Sequence, residues 1–201
     1  MARDSDWKPE DRLLYMVGEI TDELAQSIVE RVMTHWDREF LLVINSDGGS
    51  CYGALCIINL MRAHGRIDTL CIGIAESGAA DTLASGRKRY IVPGTIAMLH
   101  QVSWELGREL ASNVLHSARA LEKLNSLMAD LLAEATGKSR DQIDLDLSHD
   151  HYLYDKEIIE YGLADAFWDP KETLPAARPH SLRGRFRAEN NEVRQRAPRE
   201  D

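Results

Sequence analysis

Two short runs that read as buried strands, each opening onto small residues and then a helical stretch, constrain this chain most. Residues 39–44 contain Phe40-Leu41-Leu42-Val43-Ile44, and Thr69-Leu70-Cys71-Ile72-Gly73-Ile74 repeats the pattern. Strands apolar on both faces belong in a parallel sheet covered by helices. The first run ends in the turn cluster Asn45-Ser46-Asp47-Gly48-Gly49-Ser50, then a helix to about His64 that Gly65 breaks. The second ends in a tight bend, Ala75-Glu76-Ser77-Gly78-Ala79, then a helix over 78–86. Ahead of both, residues 12–19 read as a strand. Thr21 then caps an amphipathic helix over 22–36, with Leu24, Ile28, Val29 and Val32 at helical spacing. Alternating strands and helices imply parallel pairing through helical crossovers, an α/β domain.

Further along, 89–92 and 95–99 read as short strands around Pro93-Gly94. Residues 108–136 form a long helix, with Leu110, Val114, Leu121, Leu124, Leu127 and Leu131 near a 3.5-residue stripe and Gly137 as its stop. Shorter helices are expected over 139–147 and 155–161, and a last strand over 163–168. After Pro170 the pattern dissolves. The chain therefore divides into a short segment 1–11, a domain 12–168 and a flexible, Arg-rich tail 169–201. At 201 residues it can bury a core without a disulfide or metal staple.

Charge separates body from tail. The net charge is −9, with +3 on residues 171–201 and −12 on the rest. An acidic body argues against nucleic acid or an anionic membrane as partner, because phosphate attraction needs an excess of Lys and Arg. Cys51, Cys56 and Cys71 lack metal-site spacing and read as reduced, packed thiols. Met1 to Asp11 are polar, unlike a signal or transit peptide, and no apolar stretch approaches the ~20 residues of a membrane span. A cytoplasmic protein with no metal and no cofactor is expected.

Four features carry chemistry. Ser77 stands at a strand-to-helix bend flanked by small residues, the steric requirement met elsewhere by Gly-x-Ser-x-Gly; taken alone, a helix-capping serine is the commoner explanation. His100 ends a short strand, where a neutral imidazole takes a hydroxyl proton. The remaining histidines (His35, His64, His116, His149, His151 and His180) read mostly as solvated. An orienting carboxylate is needed, and Asp144, Asp146, Asp150 and Asp155 all qualify. Asp150 precedes the apolar Tyr152-Leu153-Tyr154, where a loop carboxylate can point inward. Last, Asp47-Gly48-Gly49 offers bare backbone N–H groups to an oxyanion, or is a simple turn; no Gly-Lys-Ser/Thr follows to suggest a phosphate loop.

Together these residues resemble the caseinolytic (Clp) protease proteolytic-subunit family, ClpP, over about Arg12 to Phe167. Leu41-Leu42-Val43-Ile44-Asn45-Ser46-Asp47-Gly48-Gly49 resembles its Tyr-Ile-Asn-Ser-Pro-Gly-Gly block. Gly73 to Ala80 resembles its nucleophile block, and Arg89 to Gln101 its Pro-Asn-Ser…Met-Ile-His-Gln block. Ala135-Thr136-Gly137 and Tyr161-Gly162-Leu163-Ala164-Asp165 resemble two later landmarks that bracket Asp150. The resemblance implies a serine endopeptidase on a ClpP/crotonase-like spiral of ββα units with a protruding handle helix. It implies Ser77 as nucleophile, His100 as base, Asp150 as orienting acid, and Gly49 and Gly78 N–H groups as the oxyanion hole. It also implies peptide or unfolded-protein substrates, heptameric rings, single or paired, around a chamber, and a strand around 102–107 that holds extended substrate.

The chain departs from the pattern in places. Glu76 stands for Ala, Gly78 for Met, and Asp81 for an apolar residue. Asp81 is expected to face a neighbouring subunit or solvent; the alternative is altered specificity or lowered activity. Val102 stands for Pro, Ser103-Trp104-Glu105-Leu106-Gly107 for a Gly-rich strand, and His149 for an Arg that helps rings stack. Eleven residues precede Arg12, fewer than the family's axial-loop segment, which weighs against an AAA+ unfoldase partner. Competing readings are a catalytically weak or silent subunit with a structural or regulatory role, a crotonase-fold acyl-CoA enzyme, and a Ser–Lys dyad using Lys88.

Overall fold

The computed structural model describes residues 9–103, 110–169 and 171. One turn of 3-10 helix, Pro9–Arg12, leads into β1 (Leu13–Val17). The chain continues through α1 (Asp22–Thr34), β2 (Phe40–Ser46), α2 (Cys51–His64), β3 (Ile67–Glu76) and α3 (Gly78–Ala84). Then come β4 (Arg89–Ile91), β5 (Ile96–Leu99), α4 (Ala111–Thr136), α5 (Arg140–Asp146), β6 (His151–Tyr154), α6 (Lys156–Tyr161) and β7 (Ala166–Phe167). The described residues up to Trp168 form one unit; of 169–201, the expected tail, only Asp169 and Lys171 are described. The expected substrate strand around 102–107 lies mostly outside the described residues.

The apolar runs set the strand order. Phe40, Leu42, Ile44, Leu70 and Cys71 are almost wholly removed from water. Burying a large apolar side chain stabilises by ~1.5–3 kcal/mol, so β2 and β3 take inside positions. The order is β1-β2-β3-β4-β7, all parallel. Strand β1, which alternates buried and exposed residues, and the short exposed β7 lie at the two ends. The result is the mixed α/β fold with a parallel sheet that the alternation implies.

Strand β3 is longer than its apolar run and changes partner along its length. Thr69–Cys71 pair with Arg89–Ile91 of β4, while Ile74–Glu76 pair with Ile96–Met98 of β5. Between them the chain leaves and rejoins β3, and Thr95 Oγ1 donates to Val92 O at 2.7 Å to close the turn. On the other edge the register with β2 slips between Ile44 and Ser46, where Asn45 Oδ1 accepts from Ile74 N at 3.1 Å. The fork brings β5 alongside the carboxyl end of β3.

Strand β6 is not among the strands expected from sequence. It pairs antiparallel with β5, from Ile96↔Tyr154 to Leu99↔His151. Four residues are too few for a period-2 signal to stand apart from a loop.

The helices start and stop where their caps dictate. Thr21, Ser50 and Ser139 side chains accept from Leu24, Gly53 and Gln142 N–H groups, and Gly65 and Gly137 close α2 and α4 at positive φ. Helix α4 differs from its expected stripe. Leu124, Met128, Ala129 and Leu132 are buried, while Leu110, Val114, Leu115 and Leu127 are exposed. Its C-terminal half therefore packs on the body, and its first half is left open, as a handle helix requires. His64, expected to be solvated, is buried with Nε2 2.9 Å from Trp36 O, and burial lowers its pKa. Arg89 joins two of the sequence landmarks: it pairs with Asp165 and donates to Ala135 O and Gly162 O. No described helix is long and apolar enough to cross a membrane.

Candidate active site

Ligand sites in parallel sheets gather at the carboxyl ends of strands, and three such ends meet here. Gly48-Gly49 follows β2, Ser77 follows β3 and His100 follows β5. Because Glu76 is level with Met98, Ser77 and His100 leave the sheet together, and Ser77 N–H donates to Met98 O at 2.8 Å. The Ser77 hydroxyl lies 2.7 Å from His100 Nε2. The helix-capping explanation of Ser77 fails: the residue precedes α3, but its side chain makes no cap hydrogen bond.

Ser77 carries φ 54° and ψ −131°, a backbone state that a residue with a Cβ adopts at a cost of ~1–3 kcal/mol. The turn is held by its surroundings. A Cβ on Gly48 would lie 2.7 Å from Ser77 Cβ, so only glycine lets the β2 loop approach the nucleophile. A Cβ on Gly78 would meet Ala54 Cβ at 2.8 Å, which explains glycine in place of the bulky Met of the pattern.

Gly49 and Gly78 lie beside this hydroxyl. Gly49 has φ 139°, forced by its bridge to Ile20, whose carbonyl accepts from Ser50 N at 2.7 Å. Gly78 is the first residue of α3, so its N–H has no acceptor within the helix. Both line one small pocket, about 70 Å³, with Ser77, Asp81 and His100.

The four candidate acids separate by their partners. Asp144 accepts from Arg140 Nε at 2.8 Å. Asp146 is buried, and accepts from Gln142 Nε2 and Tyr161 OH, each at 2.8 Å. Asp155 accepts from Gly94 N at 2.6 Å. Asp150 is exposed and makes no hydrogen bond or ion pair among the described residues, with His100 included. Its position is distinctive all the same. The last β5–β6 pair is Leu99↔His151, and His100 and Asp150 are the residues directly beyond it on the two strands.

Sequence reasoning missed the far wall. Asn125 of α4 accepts from Val102 N at 2.6 Å, and Leu147 O accepts from Gln101 N at 3.2 Å. These two bonds hold the segment that follows His100. A polar Asn125 between Leu124 and Met128 on a buried helix face was the available signal. Lys88 is exposed and does not line the pocket, so the Ser–Lys dyad does not form. The three cysteines are free thiols; burial raises the pKa of Cys71 to about 11. The described residues hold no group of three or more His, Cys, Asp or Glu placed to bind a metal.

Comparison with known proteins places the chain in a family. The family model described as Clp protease matches residues 8–171. The chain is 32% identical over 167 residues to the ATP-dependent Clp protease proteolytic subunit 1 of Corynebacterium glutamicum, covering 80% of each protein. It is 30% identical, with the same coverage, to the protein of that name from Corynebacterium diphtheriae. With a family match that spans most of its length, and with a hydroxyl and an imidazole in contact at its strand ends, this chain belongs to the Clp protease family and is a ClpP-like serine peptidase.

Proposed function

We propose that this chain is an endopeptidase that hydrolyses peptides or unfolded proteins through Ser77, His100 and Asp150. The observation that carries the reading is the 2.7 Å contact between Ser77 Oγ and His100 Nε2. Ser77 Oγ attacks the scissile carbonyl carbon while its proton passes to Nε2. The Gly49 and Gly78 N–H groups receive the oxyanion. The C–N bond then breaks, the leaving amine takes the proton from His100, and an acyl-Ser77 remains. Water, deprotonated by His100, releases the acid and restores the hydroxyl. In this mechanism Asp150, which makes no bond to His100 in the single chain, has to turn to Nδ1–H and accept from it; that leaves Nε2 free to take the proton and stabilises the imidazolium.

The reading extends to a homo-oligomeric ring with the sites inside a chamber, in the cytoplasm. Tyr15, Val17, Met33, Tyr52, Leu110 and Leu115 are more than half exposed on the single chain, apolar side chains that contacts between subunits of a ring would cover. "ATP-dependent" in the relatives' names supports an ATPase that delivers substrate. A weak or silent subunit is the second reading, favoured by the absence of a bond between Asp150 and His100 among the described residues.

Labelling with a fluorophosphonate, wild type against Ser77→Ala, tests the reading. Ser77-dependent labelling is expected. Its absence in every assembly state, with particle size measured in parallel, sinks the peptidase reading.

A further inference from the structure

Among the described residues, Asp81 is the one acidic side chain in the lining of the pocket that holds Ser77 and His100. It lies one helical turn after the nucleophile, and residues at this spacing sit side by side on a helix face. The residue is half-buried, and its carboxyl makes no hydrogen bond or ion pair among the described residues. Burial pushes that carboxyl up to about 7. Burying a carboxylate with no partner is costly, and a chain that keeps one in a pocket keeps an acceptor for something that enters.

The rest of the lining says what enters. Met128, Leu147 and Val102 supply apolar surface, Asn125 and Ser103 supply neutral polarity, and among the described residues no Lys or Arg lines the pocket. Apolar walls around one carboxylate match a long aliphatic stem with a cationic head. The same carboxylate stands near the oxyanion glycines. An ionised, uncompensated Asp81 opposes the developing negative charge, and a bound cation cancels that opposition. Selection therefore acts on the chemical step as well as on binding.

We propose that Asp81 makes this pocket select Lys or Arg as the residue whose carbonyl Ser77 attacks. This rests on the peptidase reading of the same pocket. The two are separable, because labelling of Ser77 by a small fluorophosphonate needs no side chain in the pocket.

The test compares coumarin-releasing peptides that end in Arg, Lys, Leu or Phe, for the full chain and for Asp81→Asn and Asp81→Leu. The wild type is expected to favour Arg and Lys over Leu by roughly 10²-fold in kcat/KM. Asp81→Asn keeps the shape and removes the charge, and should collapse that ratio; Asp81→Leu should invert it. Ser77 labelling of each variant reports that its site is intact. A wild type that labels at Ser77 yet prefers Leu or Phe, or shows no preference, overturns this inference and leaves the peptidase reading standing. A basic preference that survives Asp81→Asn overturns it as well. A chain that does not label at Ser77 loses both readings.

Discussion

Leu99 and His151 form the last pair of the β5–β6 ladder, and His100 and Asp150 follow directly beyond it, one on each strand. Of the four carboxylates that sequence leaves open, three are bonded elsewhere and Asp150 lies one step beyond this pair. In the proposed mechanism Asp150 orients an imidazole already in contact with the nucleophile.

Asp150→Asn should therefore lower kcat by roughly 10²–10⁴ with KM little changed, because an amide holds the wrong tautomer. Asp146→Asn should behave differently. It disturbs the buried Tyr161–Asp146 hydrogen bond, so it should lower Tm while the folded fraction keeps its kcat. Steady-state kinetics beside thermal melts of both variants checks the pair. Equal kcat losses would remove Asp150 from its role.

Ser77→Gly should abolish turnover and raise stability by about 1 kcal/mol, because glycine adopts φ 54° without the cost that serine bears. Ser77→Ala should abolish turnover without that gain, since alanine keeps the Cβ. Urea titrations of the three proteins measure the difference. Equal stabilities would mean that the turn is not strained.

Gly78→Ala should destabilise the chain through the 2.8 Å approach to Ala54 Cβ. Ala54→Gly removes the obstructing atom, so the double variant should recover part of the loss. A coupling of ~0.5–3 kcal/mol is expected for residues in direct contact. Additive losses in a double-mutant cycle would contradict it.

Asp81 should contribute a loss of stability as pH rises from about 4 to 7. Its carboxyl moves from the ordinary 3.8 up to about 7 on folding. Between those values the native chain holds a proton that the unfolded chain has released, so raising the pH favours unfolding. Asp81→Leu removes this contribution and should stabilise the protein more at pH 8 than at pH 5. Denaturation curves at the two pH values read the effect directly, and an equal gain at both would place the carboxyl in an ordinary solvated state.

Local chemistry accounts for what was legible in the chain itself. Thr21, Ser50, Gly65 and Gly137 mark helix ends because capping and positive φ are short-range requirements. Phe40–Ile44 and Thr69–Cys71 declare a buried parallel sheet because a strand apolar on both faces has no other stable place, whereas Ile72, expected to be buried with them, is exposed in the single chain. Ser77 and His100 were also visible, each at the end of an apolar run.

Tertiary structure alone decided three things. Strand β6 was hidden because four residues carry too little periodicity, and its pairing with β5 is a contact between segments more than fifty positions apart. The buried face of α4 turned out to be Leu124, Met128, Ala129 and Leu132, because only the C-terminal half of that helix meets the body. Asp81, expected to face solvent or a neighbour, lines the pocket of the nucleophile, because α3 starts directly after Ser77 and turns its fourth residue back beside it. Propensity and patterning act over a few residues, whereas which side chains share a pocket depends on how the strand ends are brought together.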